Sequence, residues 1–256
     1  MTCLTIFIVF FAPCLALSGF KDWGYQLGVS FDEDCPSVDF KCLKNCYHVS
    51  TLFLKAIKCQ TPYTNFCVDA IIAGAELHGM NVELYGCLPC KDITKPDDME
   101  NYRPEIAAQT LTNITANFGV FQAALIKASG KEYLLARLWM DVTANTDHGW
   151  FQDKSKNQQC LERVVVAKGL FTSWHDHEDV FGTDYSVKDY DIWYRNPLGI
   201  GDDSFNTPPM DDYRMFGGAK TAVVKRYARG VSLCGKSKIN MESYIPVAKS
   251  PPTKWW

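Results

Sequence analysis

Tyr133-Leu134-Leu135-Ala136-Arg137-Leu138-Trp139-Met140-Asp141-Val142 is the stretch on which the fold turns. It is the strongest strand candidate in the chain, and it ends beside an acid. Before it, Tyr25 to Ser30, Thr51 to Ile57 and Val82 to Tyr85 read as strands. Between them lie a helical segment from Asp39 to Tyr47 and a second marked by Cys67, Ile71, Ala75 and His78, which stops at Gly79. Pro104 opens a further helix whose buried side carries Ile106, Leu111, Ile114 and Phe118. After it come a helix from Ser155 to Lys168 and strands at Gly169 to Ser173, Asp191 to Tyr194 and Thr221 to Tyr227. Lys238 to Met241 is a weaker eighth strand. Short strands alternating with amphipathic segments predict an α/β domain with parallel strands. Their number and the chain length fit a single (β/α)8 barrel of the TIM type with irregular last units. An open doubly wound sheet is the competing architecture, but no glycine-rich dinucleotide fingerprint follows any strand.

The chain has 256 residues, 47% of them hydrophobic and 21% charged, so it can bury a full core. A formal net charge of −3 gives no electrostatic reason to expect nucleic acid or an anionic membrane as partner. Leu4 to Leu17 is apolar but too short to span a bilayer, and small residues follow it. Residues 1–18 are expected to be a secretory signal peptide, 19–248 one barrel domain and 249–256 a Pro-rich tail. The expected protein is secreted, monomeric and free of cofactors.

Of the eleven cysteines, Cys3 and Cys14 leave with such a signal and nine remain. In an oxidising compartment this predicts four disulfides and one leftover thiol. Cys87-x-x-Cys90 has no second Cys-x-x-Cys to complete a zinc set. His175-Asp176-His177-Glu178 offers metal-ligand types without a third histidine nearby, and reads as a solvated turn. Asp202-Asp203 and Asp211-Asp212 read as a surface loop, and no metal site is expected. Asn113-Ile114-Thr115 is a glycosylation sequon.

In a barrel of this kind, function sits at the C-terminal ends of the strands. Those ends carry Gly28-Val29-Ser30, Glu83-Leu84-Tyr85, Trp139-Met140-Asp141-Val142-Thr143, Ile192-Trp193-Tyr194 and Lys225-Arg226-Tyr227. Asp141 has two readings of equal weight, a site acid or a cap on the following turn. Tyr85, Trp193, Tyr194 and Tyr227 either form a sugar-stacking floor or simply fill the barrel mouth.

The order of these motifs resembles glycoside hydrolase family 25 lysozymes, in their nematode and protist-like branch. Tyr25 before Val29-Ser30, Val82 to Tyr85 before Pro89-Cys90, Leu138 to Val142, Gly169 to Ser173, Ile192 to Tyr194, Phe216-Gly217-Gly218 before Val223 to Tyr227, and Tyr244-Ile245-Pro246 carry it. The resemblance implies a secreted barrel that binds bacterial peptidoglycan in innate defence and, in active members, cleaves beside N-acetylmuramic acid. It also implies a disulfide between Cys42 and Cys234. The family's acids depart: Gly28 stands where an Asp is usual, Thr143 where the proton-donating Glu is usual, and no Asp occurs in Ile239-Asn240-Met241-Glu242. Asp141 is retained. A threonine hydroxyl cannot act as the acid near neutral pH, so catalysis is expected to be impaired. Glu83 and Glu242 are substitute candidates. The alternative is a non-enzymatic glycan-binding or signalling protein on the same scaffold.

Overall fold

A computed structural model describes residues 25–31, 33, 35–57, 67–87, 90, 138–144, 148–163, 169–200 and 212–244. The segments expected as signal and tail, the helix opened by Pro104, and Asn113 lie outside the described residues.

Eight strands close into one barrel in chain order. They are β1 (Gln26–Phe31), β2 (Val49–Ile57), β3 (Asn81–Gly86), β4 (Leu138–Val142), β5 (Gly169–Thr172), β6 (Asp191–Ile200), β7 (Val224–Leu233) and β8 (Lys236–Tyr244). The helices among the described residues are α1 (Phe40–Tyr47), α2 (Val68–Leu77), α3 (Lys154–Arg163) and α4 (Trp174–Phe181). β1 to β7 pair in parallel, as the alternation of strands and helices predicts. β8 runs antiparallel to both β7 and β1, so the last unit is a hairpin rather than a crossover. Cys234 and Gly235 form its turn with φ of 53° and 72°. Two successive positive φ values match the right-handed strand twist, and glycine at the second position accepts one without strain. This tight turn is why the eighth strand, faint as a pattern, is a full partner in the barrel.

Period-two alternation sorts the strand residues into two packed layers. Phe53, Tyr85, Trp139, Phe171, Trp193 and Val224 form one buried cluster inside the barrel. Trp193 is its hub, with ring centroids 4.1 Å from Phe171, 4.4 Å from Phe53 and 5.4 Å from Tyr85. The intervening residues, among them Val29, Leu52, Leu84, Met140, Leu170, Ile192 and Met241, face outward. There they pack with Leu43 of α1, Ile72 and Ala75 of α2, Leu161 of α3 and Phe181 of α4.

Local chemistry sets the helix starts. Asp39 caps α1 by accepting from the Cys42 amide at 2.9 Å. Ser173 caps α4, accepting from the Asp176 amide at 3.1 Å. The expected solvated turn at His175 to Glu178 is therefore a helix: Ser173 with Asp176 three residues on forms a capping pair that satisfies first-turn donors. His177 is fully buried.

Disulfides join Cys35 to Cys67, Cys42 to Cys234 and Cys90 to Cys160. They tie the β1–α1 loop to the start of α2, α1 to the β7–β8 hairpin, and the β3–β4 connection to α3. Cys46 and Cys87 are disulfide-bonded as well. The remaining cysteine of the expected nine, Cys59, lies outside the described residues. Among the described residues no helix is long and apolar enough to cross a membrane.

Candidate functional site

Asp141 is the last inward-facing residue of β4 and is almost fully buried. Thr143, two residues on, donates its hydroxyl proton to Asp141 Oδ1 at 2.6 Å. Arg195 reaches across from β6: Nη1 donates to Thr143 Oγ1 and stands 3.5 Å from Asp141 Oδ1. Its Nη2 donates to Asp176 Oδ2 at 2.7 Å and to the Val142 carbonyl at 3.3 Å. The guanidinium lies 4.9 Å from the Phe171 ring centroid, so both its face and its edges are engaged. Asp176 in turn accepts from the Ser173 hydroxyl and, at 2.8 Å, from the Ala144 amide. Burial alone would raise the Asp176 carboxyl, but Arg195, Ser173 and Ala144 together hold it below the usual aspartate value.

His148 closes the cluster on the other side. Its Nδ1 is 3.7 Å from Asp141 Oδ2 and 3.4 Å from Cys87 Sγ. Burial pushes its pKa down, and the pull of Asp141 only partly opposes that. Near neutral pH this imidazole is uncharged. Cys87, Asp141 and His148 bring one ligand atom each within 4.8 Å of one another, a spacing a metal ion could span. The Cys87 sulfur is bound in a disulfide and is no thiolate, so one imidazole and one carboxylate remain. Those two do not make a zinc ligand set.

The substitute acids sit in a different place. Glu242 is fully buried inside the barrel, and both its oxygens are used. Oε1 accepts from Ser30 Oγ at 2.7 Å and from Arg226 Nε at 2.9 Å, and Oε2 accepts from Trp193 Nε1 at 2.8 Å. Glu83 also points inward and accepts from Trp139 Nε1. A carboxylate paired with a buried guanidinium and an indole is part of the packing, because moving it would strand those donors. Gly28 contributes no acid, and a Cβ there would meet the Phe53 ring.

The four aromatics considered for a sugar floor do not share a face. Tyr85 and Trp193 point into the barrel, and Tyr85 donates its hydroxyl to the Phe31 carbonyl at 3.1 Å. Tyr194 and Tyr227 belong to the outer layer, where Tyr194 packs on Tyr213 with ring centroids 4.9 Å apart. Strand alternation forces this division, since Trp193 and Tyr194 are successive residues. All four are buried to within 5% of full coverage.

Arg195, Asp176 and His148 are the site residues that the sequence reading missed. Arg195 had a signal, because it follows Trp193 by two and so shares its inward face. Asp176 had one in the Ser173 capping pattern. His148 had none, because its place depends on how the β4–α3 loop folds over the barrel end.

Residues 21–227 match the sequence family described as Lysozyme-like protein 1. Lysozyme-like protein 3 of Caenorhabditis elegans is 27% identical over 106 residues, covering 38% of this chain and 35% of that protein. The matched region spans less than half of the nematode relatives, between 35% and 44% of their length. The Dictyostelium discoideum protein named "Probable GH family 25 lysozyme 4" is 23% identical over 249 residues, covering 92% of this chain and 95% of that one. In fold, the chain is similar to the bacterial lysozyme from Streptomyces coelicolor, with a TM-score of 0.59 at 11% identity over 87% of this chain and 93% of that chain.

Proposed function

The chain belongs to the lysozyme-like family, of the glycoside hydrolase family 25 type, and from that premise we propose a secreted protein that engages bacterial peptidoglycan in innate defence with its hydrolysis impaired. One observation supports the impairment: Thr143, which the family resemblance sets where the proton-donating Glu is usual, is itself tied to Asp141 and Arg195. Glycoside hydrolysis of this kind needs a carboxylic acid to protonate the leaving oxygen and a second carboxylate to support or attack the oxocarbenium-like centre. Thr143 cannot supply the first, and Asp141 already faces a guanidinium that offsets the negative charge such a centre would need. Glu83 and Glu242 are held by indole N–H groups inside the barrel.

The non-enzymatic alternative, glycan binding or signalling without any turnover, is supported by the mutual hydrogen bonding of Asp141, Thr143 and Arg195, which ties up the retained acid. Clearance of a peptidoglycan suspension, run beside co-sedimentation with insoluble peptidoglycan, tests both readings. Binding with slow or no clearance is the expected result. Robust clearance abolished by Asp141→Asn overturns the impairment, and absence of both binding and clearance overturns the glycan assignment.

A further inference from the structure

Arg195 and Arg226 are both engaged with carboxylates inside the barrel. Arg214 is not. It is exposed, its guanidinium carbon lies 3.6 Å from the centroid of the Trp174 ring, and no carboxylate among the described residues pairs with it. Trp174 is the first residue of α4, directly after the Ser173 cap, so the pair stands at the rim of the same barrel end that carries Asp141. His175 packs its ring on the same indole, and the neighbouring Met215 is 69% exposed.

Stacking occupies the face of a guanidinium and leaves its in-plane N–H groups pointing outward. It also removes rotamer freedom before any ligand arrives, which lowers the entropic cost of binding. A flat, fixed fork of donors suits a carboxylate approached edge-on, because two parallel charge-assisted hydrogen bonds form at once. Met215, the next residue in the chain, is exposed as well and adds apolar surface to the same segment, of the kind that suits the C–H face of a sugar or a short aliphatic arm.

We propose that Arg214, held over the Trp174 ring, is a recognition site for a carboxylate carried on a glycan, such as the free carboxylates of the peptide stems of peptidoglycan present. This rests on the peptidoglycan reading above but uses none of the Asp141 cluster. Binding of a carboxylate here is independent of whether any bond is cleaved.

The test is co-sedimentation of the full chain with three insoluble polymers. They are peptidoglycan stripped of wall polymers, the same material with its carboxylates amidated, and chitin, whose sugar backbone carries no carboxylate. Arg214→Ala is expected to weaken retention on native peptidoglycan roughly tenfold, the effect of losing one charge-assisted contact. Arg214→Lys keeps the charge but loses the fork and is expected to fall between the two. Amidated peptidoglycan and chitin are expected to show no difference between wild type and Arg214→Ala. Trp174→Phe, with its melting temperature checked, should keep most of the binding because a ring still supports the guanidinium. Equal retention of wild type and Arg214→Ala on native peptidoglycan overturns this site alone. So does a difference that persists on the amidated polymer. No wild-type retention on any peptidoglycan overturns this site together with the proposed function.

Discussion

A Cβ placed on Gly28 would stand 2.5 Å from Cε2 of Phe53 and 3.3 Å from the Thr51 carbonyl oxygen. The Phe53 ring thus occupies the space that an inward side chain on β1 would need. That ring is buried, and it packs directly on Trp193, so the absence of a side chain at Gly28 is coupled to the packing of the interior.

Gly28→Asp is accordingly expected to destabilise the protein without restoring clearance. Overpacking a filled core costs about 1–3 kcal/mol, and an unpaired buried carboxylate adds to that. Urea denaturation measures the loss. A Gly28→Asp protein as stable as wild type would show that Phe53 moves aside freely.

Thr143→Glu restores the residue type that a proton donor needs, but it places the new carboxyl beside Arg195. An adjacent guanidinium favours the ionised form by about 1–3 pKa units, the wrong direction for a group that must arrive protonated. The single variant is expected to clear peptidoglycan no faster than wild type. Combining it with Arg195→Gln is expected to raise the rate, by up to about 10²-fold, the lower end of what general acid catalysis contributes. Equal rates for the single and double variants would show that Arg195 is not what suppresses the acid.

Stability should fall as the pH drops below neutrality. His148 and His177 are both pushed below the ordinary value of 6.5, in each case chiefly by burial. The unfolded chain then takes up protons near pH 6.5 that the folded chain resists, so stability is full above that pH, falls as the pH drops below it, and levels off once the pH is below the folded values. Asp176 acts lower down. Held below 3.8, it contributes stability above that pH and gives it up only as the pH falls further. The decline between pH 6.5 and about 4 therefore belongs to the histidines. Urea midpoints at pH 7.5 and pH 5 should differ, and His148→Gln should narrow the difference. A pH-independent midpoint across that interval would exclude the assignment.

The Cys42–Cys234 bridge closes 192 residues of chain and holds α1 to the hairpin that completes the barrel. Replacing both cysteines with serine is expected to cost about 2–5 kcal/mol, because the unfolded chain regains the freedom that the bridge removes. A denaturation curve unchanged by the double substitution would show that strand pairing alone closes the barrel.

The barrel was legible because each strand and helix announces itself locally. Leu138 to Val142 and Gly169 to Thr172 read as strands from their own composition, and β1 to β6 begin within two residues of the expected starts wherever the start is described. β8 was faint because Lys236 to Tyr244 carries Lys, Ser, Asn and Glu, and its pairing depends on the Cys234-Gly235 turn more than on apolar content. The segment from His175 to Glu178 was misjudged for the opposite reason. Its charged look concealed a capped helix with one face buried.

The amino-acid sequence by itself determined the eight-stranded architecture, the lysozyme-like resemblance and the absence of a glutamate at Thr143, since all three reside in local periodicity and residue identity. It also showed which acids were candidates. Only the tertiary structure decided what those acids do. Barrel closure brings Arg195 onto Thr143 from 52 residues away, and Trp193 onto Glu242 from 49. Those encounters depend on strand register and on which side of each strand faces inward. A one-residue slip would send every one of these side chains to the other face, and no local pattern in the chain specifies the partner across the barrel.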